Sequence, residues 1–195
     1  MTVAAVEVQT WTGAGPTKAT ASSPRMHSKD IVVADNTFPI PIPAADFNYS
    51  YWMNLALTIT NILDATVLNN HKVYMDGACG WALGTSGELN VGKRDAGDNG
   101  CPDASYEQAT GTEGTTGYYI GDGTNGHDYY KAQTPPIVAL DGYNSGAPLT
   151  VDTQDLSVAG SFDHIVIQAK VDTAANGTVR GAQAAETITF QYDEI

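Results

Sequence analysis

Tyr49, Tyr51, Met53, Leu55, Leu57 and Ile59 stand at every second position of the run from 49 to 60, with Ser50, Asn54, Thr58 and Thr60 between them. A repeat of two places the apolar set on one side of an extended strand, whereas a helix would spread it around the axis. Trp52 and Ala56 interrupt the polar side. The pattern recurs near the end of the chain. Ile165, Ile167, Ala169 and Val171 alternate with His164, Gln168 and Lys170, Val166 being the exception; Ile188, Phe190 and Tyr192 alternate with Thr187, Thr189 and Gln191. No segment shows a 3.6-residue repeat. NLALTITNILDATVL is open to misreading as a helix, but its β-branched residues and its alternation favour strand. The predicted fold is therefore all-β, an antiparallel β-sandwich of jelly-roll-like type.

Weaker strand patterns cover 3–11, 30–35, 65–75, 147–151 and 155–158. The segment Asn61 to Asp64 reads as a turn joining 49–60 and 65–75 into an antiparallel pair. Residues 163–193 read as one long hairpin whose mobile tip contains Asn176-Gly177, a dipeptide that tolerates positive φ. With 195 residues the chain can bury a sizeable core without metal or disulfide staples, so it is read as one sandwich domain, 1–195. Charged residues make up only 16%, below the roughly 25% usual for soluble proteins. Thr, Ser, Asn, Asp and Gly must then supply the polar surface.

The net charge of −13 repels phosphate backbones, which argues against a nucleic-acid partner. The first residues lack a basic region and a long apolar core, and no run approaches the roughly 20 apolar residues of a membrane span, so neither a secretory signal nor a membrane partner is expected. Cys79 and Cys101 are too few for a disulfide framework and form no CxxC pair; they are read as two free thiols, with a single bridge as the alternative.

Pro39, Pro41 and Pro43 bias residues 37–44 toward an extended polyproline ribbon that lacks the donors a central strand needs. Ile40 and Ile42 would anchor that ribbon, either as a crossover within the domain or as an arm on a neighbouring subunit. Residues 76–135 form a Gly-, Asp- and Tyr-rich insertion. A structureless loop of that length is improbable inside a domain, so short strands are expected in WALGT, ELNVG and TTGYYI. Loops on a rigid scaffold carry contacts, and the pairs Tyr118-Tyr119 and Tyr129-Tyr130 are the candidate partner-binding residues. They suit a subunit interface or a sugar face, unless one tyrosine of each pair turns inward.

Within the same insertion Asp122, Asn125 and Asp128 are the candidate metal ligands, since clustered hard oxygens suit calcium. Plain Asx turns are the competing explanation. The stretch DAGDNGCPDASYE fails the EF-hand template, with Gly97 at its third position and Tyr106 at its twelfth. No other cofactor is expected. The carboxylate pairs Asp95/Asp98 and Asp122/Asp128 sit among glycines, and no GxSxG or nucleotide-binding motif occurs, so no catalytic residue is assigned and the chain reads as no enzyme. His27, His71, His127 and His164 read as hydrogen-bonded single residues rather than ligands.

The segments PIPIPAADFNYSYWMNLALTIT, NNHKVYMDG and ETITFQYDEI resemble β-rich virion structural proteins of tailed viruses and prophages. The likeness covers 37–77 and 186–195 and is structural in kind. It implies a non-enzymatic virion subunit, a capsid decoration or cement protein or another head- or tail-associated component. Such a subunit would be made in the host cytoplasm, be located in the virion, form a homo-oligomer and bind other virion proteins. The alternative class is a carbohydrate-binding β-sandwich, an adhesin or receptor-binding module whose partners are glycans.

Overall fold

Met53, Leu55, Leu57 and Ile59 face one way along β4 (Met53–Asn61), and Ile165, Ile167 and Ala169 do the same along β12 (His164–Val171). These two strands pair antiparallel at the centre of the larger sheet. The computed structural model describes residues 4–31, 37–94, 105–133 and 137–195. Its larger sheet runs β2 (Thr17–Thr20), β1 (Ala5–Thr12), β4, β12, β6 (Glu88–Arg94), β9 (Val138–Ala139), with β11 (Gly160–Ser161) also on β4 and β3 (Asn48–Tyr49) on β12. A smaller sheet runs β10 (Leu149–Asp152), β5 (Leu68–Met75), β13 (Ile188–Glu194). A short hairpin, β7 (Gly111–Thr112) and β8 (Thr116–Gly117), and one helix, α1 (Asp128–Gln133), complete the elements used below. The fold is an all-β antiparallel sandwich. Among the described residues no helix is long and apolar enough to cross a membrane.

The core lies between the sheets. Met53, Leu55, Leu89, Val91, Ile165 and Ile167 meet Val73, Met75, Leu140 and Val151. Beyond them Leu57, Ile59 and Phe162 meet Leu68, Phe190 and Tyr192. Full burial of each such side chain favours the fold by about 1.5–3 kcal/mol.

The strand partners differ from those the sequence suggests. β4 and β5 do not pair, because β1, β12 and β11 occupy the edges of β4 and the chain passes to the other sheet. Leu63, at φ 52°, makes part of that crossing, with its N–H held by the Asn61 side chain at 3.0 Å. Likewise β12 and β13 are not a hairpin; they belong to different sheets. Asp172 fixes the exit from β12: its carboxylate accepts from the N–H of Thr173 (2.7 Å), the Asn176 amide (2.8 Å) and the N–H of Ser86 (3.1 Å). Gly177 does take positive φ (93°), but it ends a 3-10 turn within this crossover. ELNVG is strand β6, TTGYYI contributes only β8, WALGT forms no strand, and 155–158 is reduced to one bridge between Leu68 and Leu156. Of the expected strand at 30–35, residues 32–35 lie outside the described residues, and Asp30 and Ile31 are not in a strand.

Between β2 and β3, both on the larger sheet, the proline ribbon lies against its own domain. Pro39 and Pro41 are exposed while Ile40 packs on the chain's own main core and Ile42 is half-buried. Ser28 donates its N–H to the Phe38 carbonyl and its hydroxyl to that of Pro39, and the Asn48 amide donates to Pro41 O.

The outer side of the larger sheet is also covered. Trp52 and Val166, two of the residues that interrupt the alternation, pack against Ala109, Ile120 and Tyr130. Residues 105–133 therefore form a layer across this face, pinned at two points by the sheet itself. A Cβ on Gly92 of β6 would lie 2.5 Å from the Tyr130 ring, so only glycine lets the tyrosine sit flat there. Gln168 of β12, fully buried, accepts from Ile120 N–H (2.9 Å) and donates to the carbonyls of Ser50 and Tyr118 (2.7 Å each).

Candidate functional site

Gln168 grips the backbone at Tyr118 and at Ile120, and so fixes the two tyrosines that lead into that layer. Gly117 assists: a Cβ there would lie 2.3 Å from Ser50 O, so β8 runs flush against the sheet. Tyr118 is consequently held outward, 39% exposed. Tyr119 is half-buried beside Tyr49, ring centroids 5.3 Å apart, and Tyr49 continues to Phe47 at 6.5 Å. Lys170 lies 4.4 Å over the Phe47 ring and pairs with Glu88 at 3.1 Å. The result is an aromatic surface edged by one ion pair on a backbone that does not have to order itself.

The second tyrosine pair behaves differently. Tyr130 is buried in the layer, 3% exposed. Tyr129 remains half-exposed, with the Arg94 guanidinium 4.0 Å above its ring and the Tyr130 edge at 5.2 Å. One tyrosine of this pair thus turns inward, whereas neither of 118 and 119 is fully buried.

Beside Tyr129 an open groove of about 380 Å³ is lined by Arg94, Ser105, Tyr106, Glu107, His127, Asp128 and Tyr129. The Glu107 carbonyl accepts from the Trp52 indole (3.2 Å) and the Asn54 amide (3.3 Å), and its carboxylate accepts the Asp128 N–H at 2.6 Å. Tyr106 donates its hydroxyl to Gly13 O at 3.0 Å. Nδ1 of His127 lies 3.3 Å from the Tyr129 N–H, which donates to it. Burial, aided by the Arg94 charge, holds the His127 pKa down to about 4. At neutral pH, then, the Glu107 oxygen 3.2 Å from Nδ1 faces a neutral ring and makes no ion pair with it. Burial also raises the Glu107 carboxyl, opposed by the Asp128 N–H.

The candidate calcium ligands have structural partners. One Asp122 oxygen accepts the N–H groups of Thr124 (3.0 Å) and Asn125 (2.7 Å), an Asx turn that holds its carboxyl below the usual range. Asp128 pairs with Lys131 at 2.5 Å, one turn along α1. Among the described residues no group of three His, Cys, Asp or Glu side chains is placed to share a metal ion. Cys79 is half-buried with a free thiol; Cys101, Asp95, Gly97 and Asp98 lie outside the described residues.

Three residues that organise this region carry little signal in the sequence. Gln168 looks like an ordinary polar position of an alternating strand, Gly92 like a strand glycine and Glu107 like a loop acid. The readable sign was Val166, an apolar residue on the side expected to face water. Fold and site together define a β-sandwich whose larger sheet carries an aromatic, loop-built outer layer. Comparison of the chain with protein-family models, curated proteins and solved structures finds no match.

Proposed function

We propose that this chain is a non-enzymatic structural subunit of the virion type, acting by protein–protein assembly with itself and with other particle proteins. The observation that carries the reading is the Tyr118–Tyr119 surface. Aromatic anchors on a preordered backbone are what binding hot spots are made of, because they bury large area with little loss of conformational freedom. Gln168 and Gly117 supply that order here. The loop aspartates meanwhile serve structure: Asp122 closes a turn, Asp128 binds Lys131 and Asp172 anchors a crossover.

Light scattering coupled to size exclusion, together with co-sedimentation on particles, tests the proposal. The wild type is expected to form a symmetric oligomer or to bind the particle. Tyr118→Ala with Tyr119→Ala should abolish that association while keeping the β-sheet circular-dichroism spectrum. A wild type that stays monomeric at micromolar concentration and binds no particle defeats the reading, as does a double variant that assembles normally.

A further inference from the structure

Among the described residues the two sheets end in β2, β9, β10 and β13, and the last differs from the rest. β2 and β10 have four residues each and β9 two, the short edges by which sheets avoid pairing with other chains. β13 has seven, contains no proline or lysine, carries charge only at Asp193 and Glu194, and pairs on one side alone, with β5.

The hydrogen bonds of β5 show which groups of β13 point away from it. Met75 sends its N–H to the Tyr143 carbonyl, and Leu68 exchanges both of its bonds with Leu156. Their partners in register, Ile188 and Glu194, therefore direct their own bonds to the outer edge. Ile195, next to Glu194, bonds inward and exchanges with Val67. The alternation continues through Phe190 and Tyr192, because the extra residue of the irregularity lies in β5, where Asn70 takes φ 53°. The N–H and C=O groups of Ile188, Phe190, Tyr192 and Glu194 thus line the outer edge, and the described residues supply no partner for them. The side chains agree. Val73 and Met75 of β5 are fully buried, while Ile188, Phe190 and Tyr192 pack on the core and stay partly exposed at the open side of the sandwich.

We infer that this edge binds the same edge of a second copy of the chain, antiparallel about a two-fold axis at Gln191, so that two smaller sheets become one. In that register Ile188 faces Glu194 and Phe190 faces Tyr192, and every outward residue exchanges both of its bonds. On the solvent side Gln191 meets its own copy, and its amide both donates and accepts. Asp193 meets Thr189. No carboxylate faces another, which matters between chains of net charge −13. The arrangement closes at two copies, whereas adding β13 to β10 of the next chain would not. β10 is also a poor partner, with four residues interrupted by a register shift. β13 belongs to the smaller sheet, and Tyr118 and Tyr119 to the outer layer of the larger one, so this contact stands apart from the proposed assembly surface.

Sedimentation equilibrium across a concentration series, in a Tyr118→Ala/Tyr119→Ala background that removes the other surface, tests it. The chain should dimerise reversibly and stop at the dimer. Gln191→Lys and Gln191→Glu, at an exposed position, should each weaken the dimer by about tenfold or more, since like charges then meet on the axis. An equimolar mixture of the two should pair at least as well as the parent, a rescue that requires residue 191 to face itself. Thr150→Glu, exposed on the opposite edge of the same sheet, should change nothing. Hydrogen exchange should slow at the amides of Ile188, Phe190, Tyr192 and Glu194 on passing from monomer to dimer. That readout uses an unmutated β13 and so decides the matter if a Gln191 variant misfolds. The inference is overturned if the chain stays monomeric throughout, if either charged variant dimerises like its parent, if the mixture fails to pair, or if β13 gains protection only when a different protein is added.

Discussion

Toward the smaller sheet, the larger sheet presents Leu55, Leu89, Ile165 and Ile167; toward the 105–133 layer it presents Trp52, Asn54, Gly92, Val166 and Gln168. The first face is held by apolar area, which is non-directional and tolerates many hydrophobic solutions of the right volume. The second is held by a close fit at one glycine and a buried amide with three specified partners. Area gives adhesion, whereas keyed contacts fix position. The residues that must hold a surface in register, Tyr118 and Tyr119, are attached to the keyed face.

The largest effect should come from the apolar face. Ile165→Ala removes a fully buried side chain from the main core and is expected to cost about 2–5 kcal/mol, the range for cavity-forming truncations. Urea melts should show one shifted transition with both sheets unfolding together. Gln168→Leu comes next. It keeps volume but leaves Ile120 N–H and the Ser50 and Tyr118 carbonyls without their side-chain partner, a net loss of about 1–3 kcal/mol once the layer relaxes and water reaches them. Hydrogen exchange should show protection lost at 117–120 and retained in β5. Equal loss in both would mean that the layer and the sandwich are one cooperative unit, and the contrast drawn above would fail.

Gly92→Ala sharpens the comparison further. The added methyl must displace the Tyr130 ring, at about 1–3 kcal/mol as for other overpacking changes. Combining it with Tyr130→Leu should cost less than the two single changes added together, because the clash partner has gone. Additive losses in that cycle would show that the glycine matters for some other reason.

The apolar face was legible in the sequence because alternation names the inward residues directly. Leu55, Leu57, Ile165, Ile167, Phe190 and Tyr192 all face the core, as their spacing requires. Pairing was not legible. Alternation says which side of a strand is buried and not which strand lies beside it, so β4–β5 and β12–β13 were joined as neighbours in sequence when they are neighbours across the sandwich. The second face was half legible: Trp52, Ala56 and Val166 spoil an otherwise regular polar side because that side is buried too. Gln168 stayed hidden, since a polar residue on a polar side gives no warning that its partners are buried. For the tyrosines, composition marked the right region, but only geometry separates Tyr118, pointed outward, from Tyr130, pointed inward.

Acidification probes both faces at once, with the smallest expected effect per group. His71 lies in the seam of the sandwich, its ring stacked on Phe190 at 5.7 Å and tilted against Phe162 at 5.2 Å, and burial lowers its pKa to about 3. His127 lies under the outer layer at about 4. Both are bases with folded pKa values below the unfolded 6.5, so the unfolded chain takes up protons first. Stability is then full above about pH 6.5 and falls as pH drops from there toward the folded values. Between pH 7.5 and 5.5 each histidine should remove about 1.4 kcal/mol. Urea melts of the wild type, His71→Phe and His127→Phe at the two pH values separate the shares. Each variant should lose roughly half of the acid sensitivity, and exchange protection in the His127 variant should stop falling with pH in the layer alone. If His71→Phe flattens the response of the layer as well, the seam and the outer face open in one step, and the two modes of attachment are not independent.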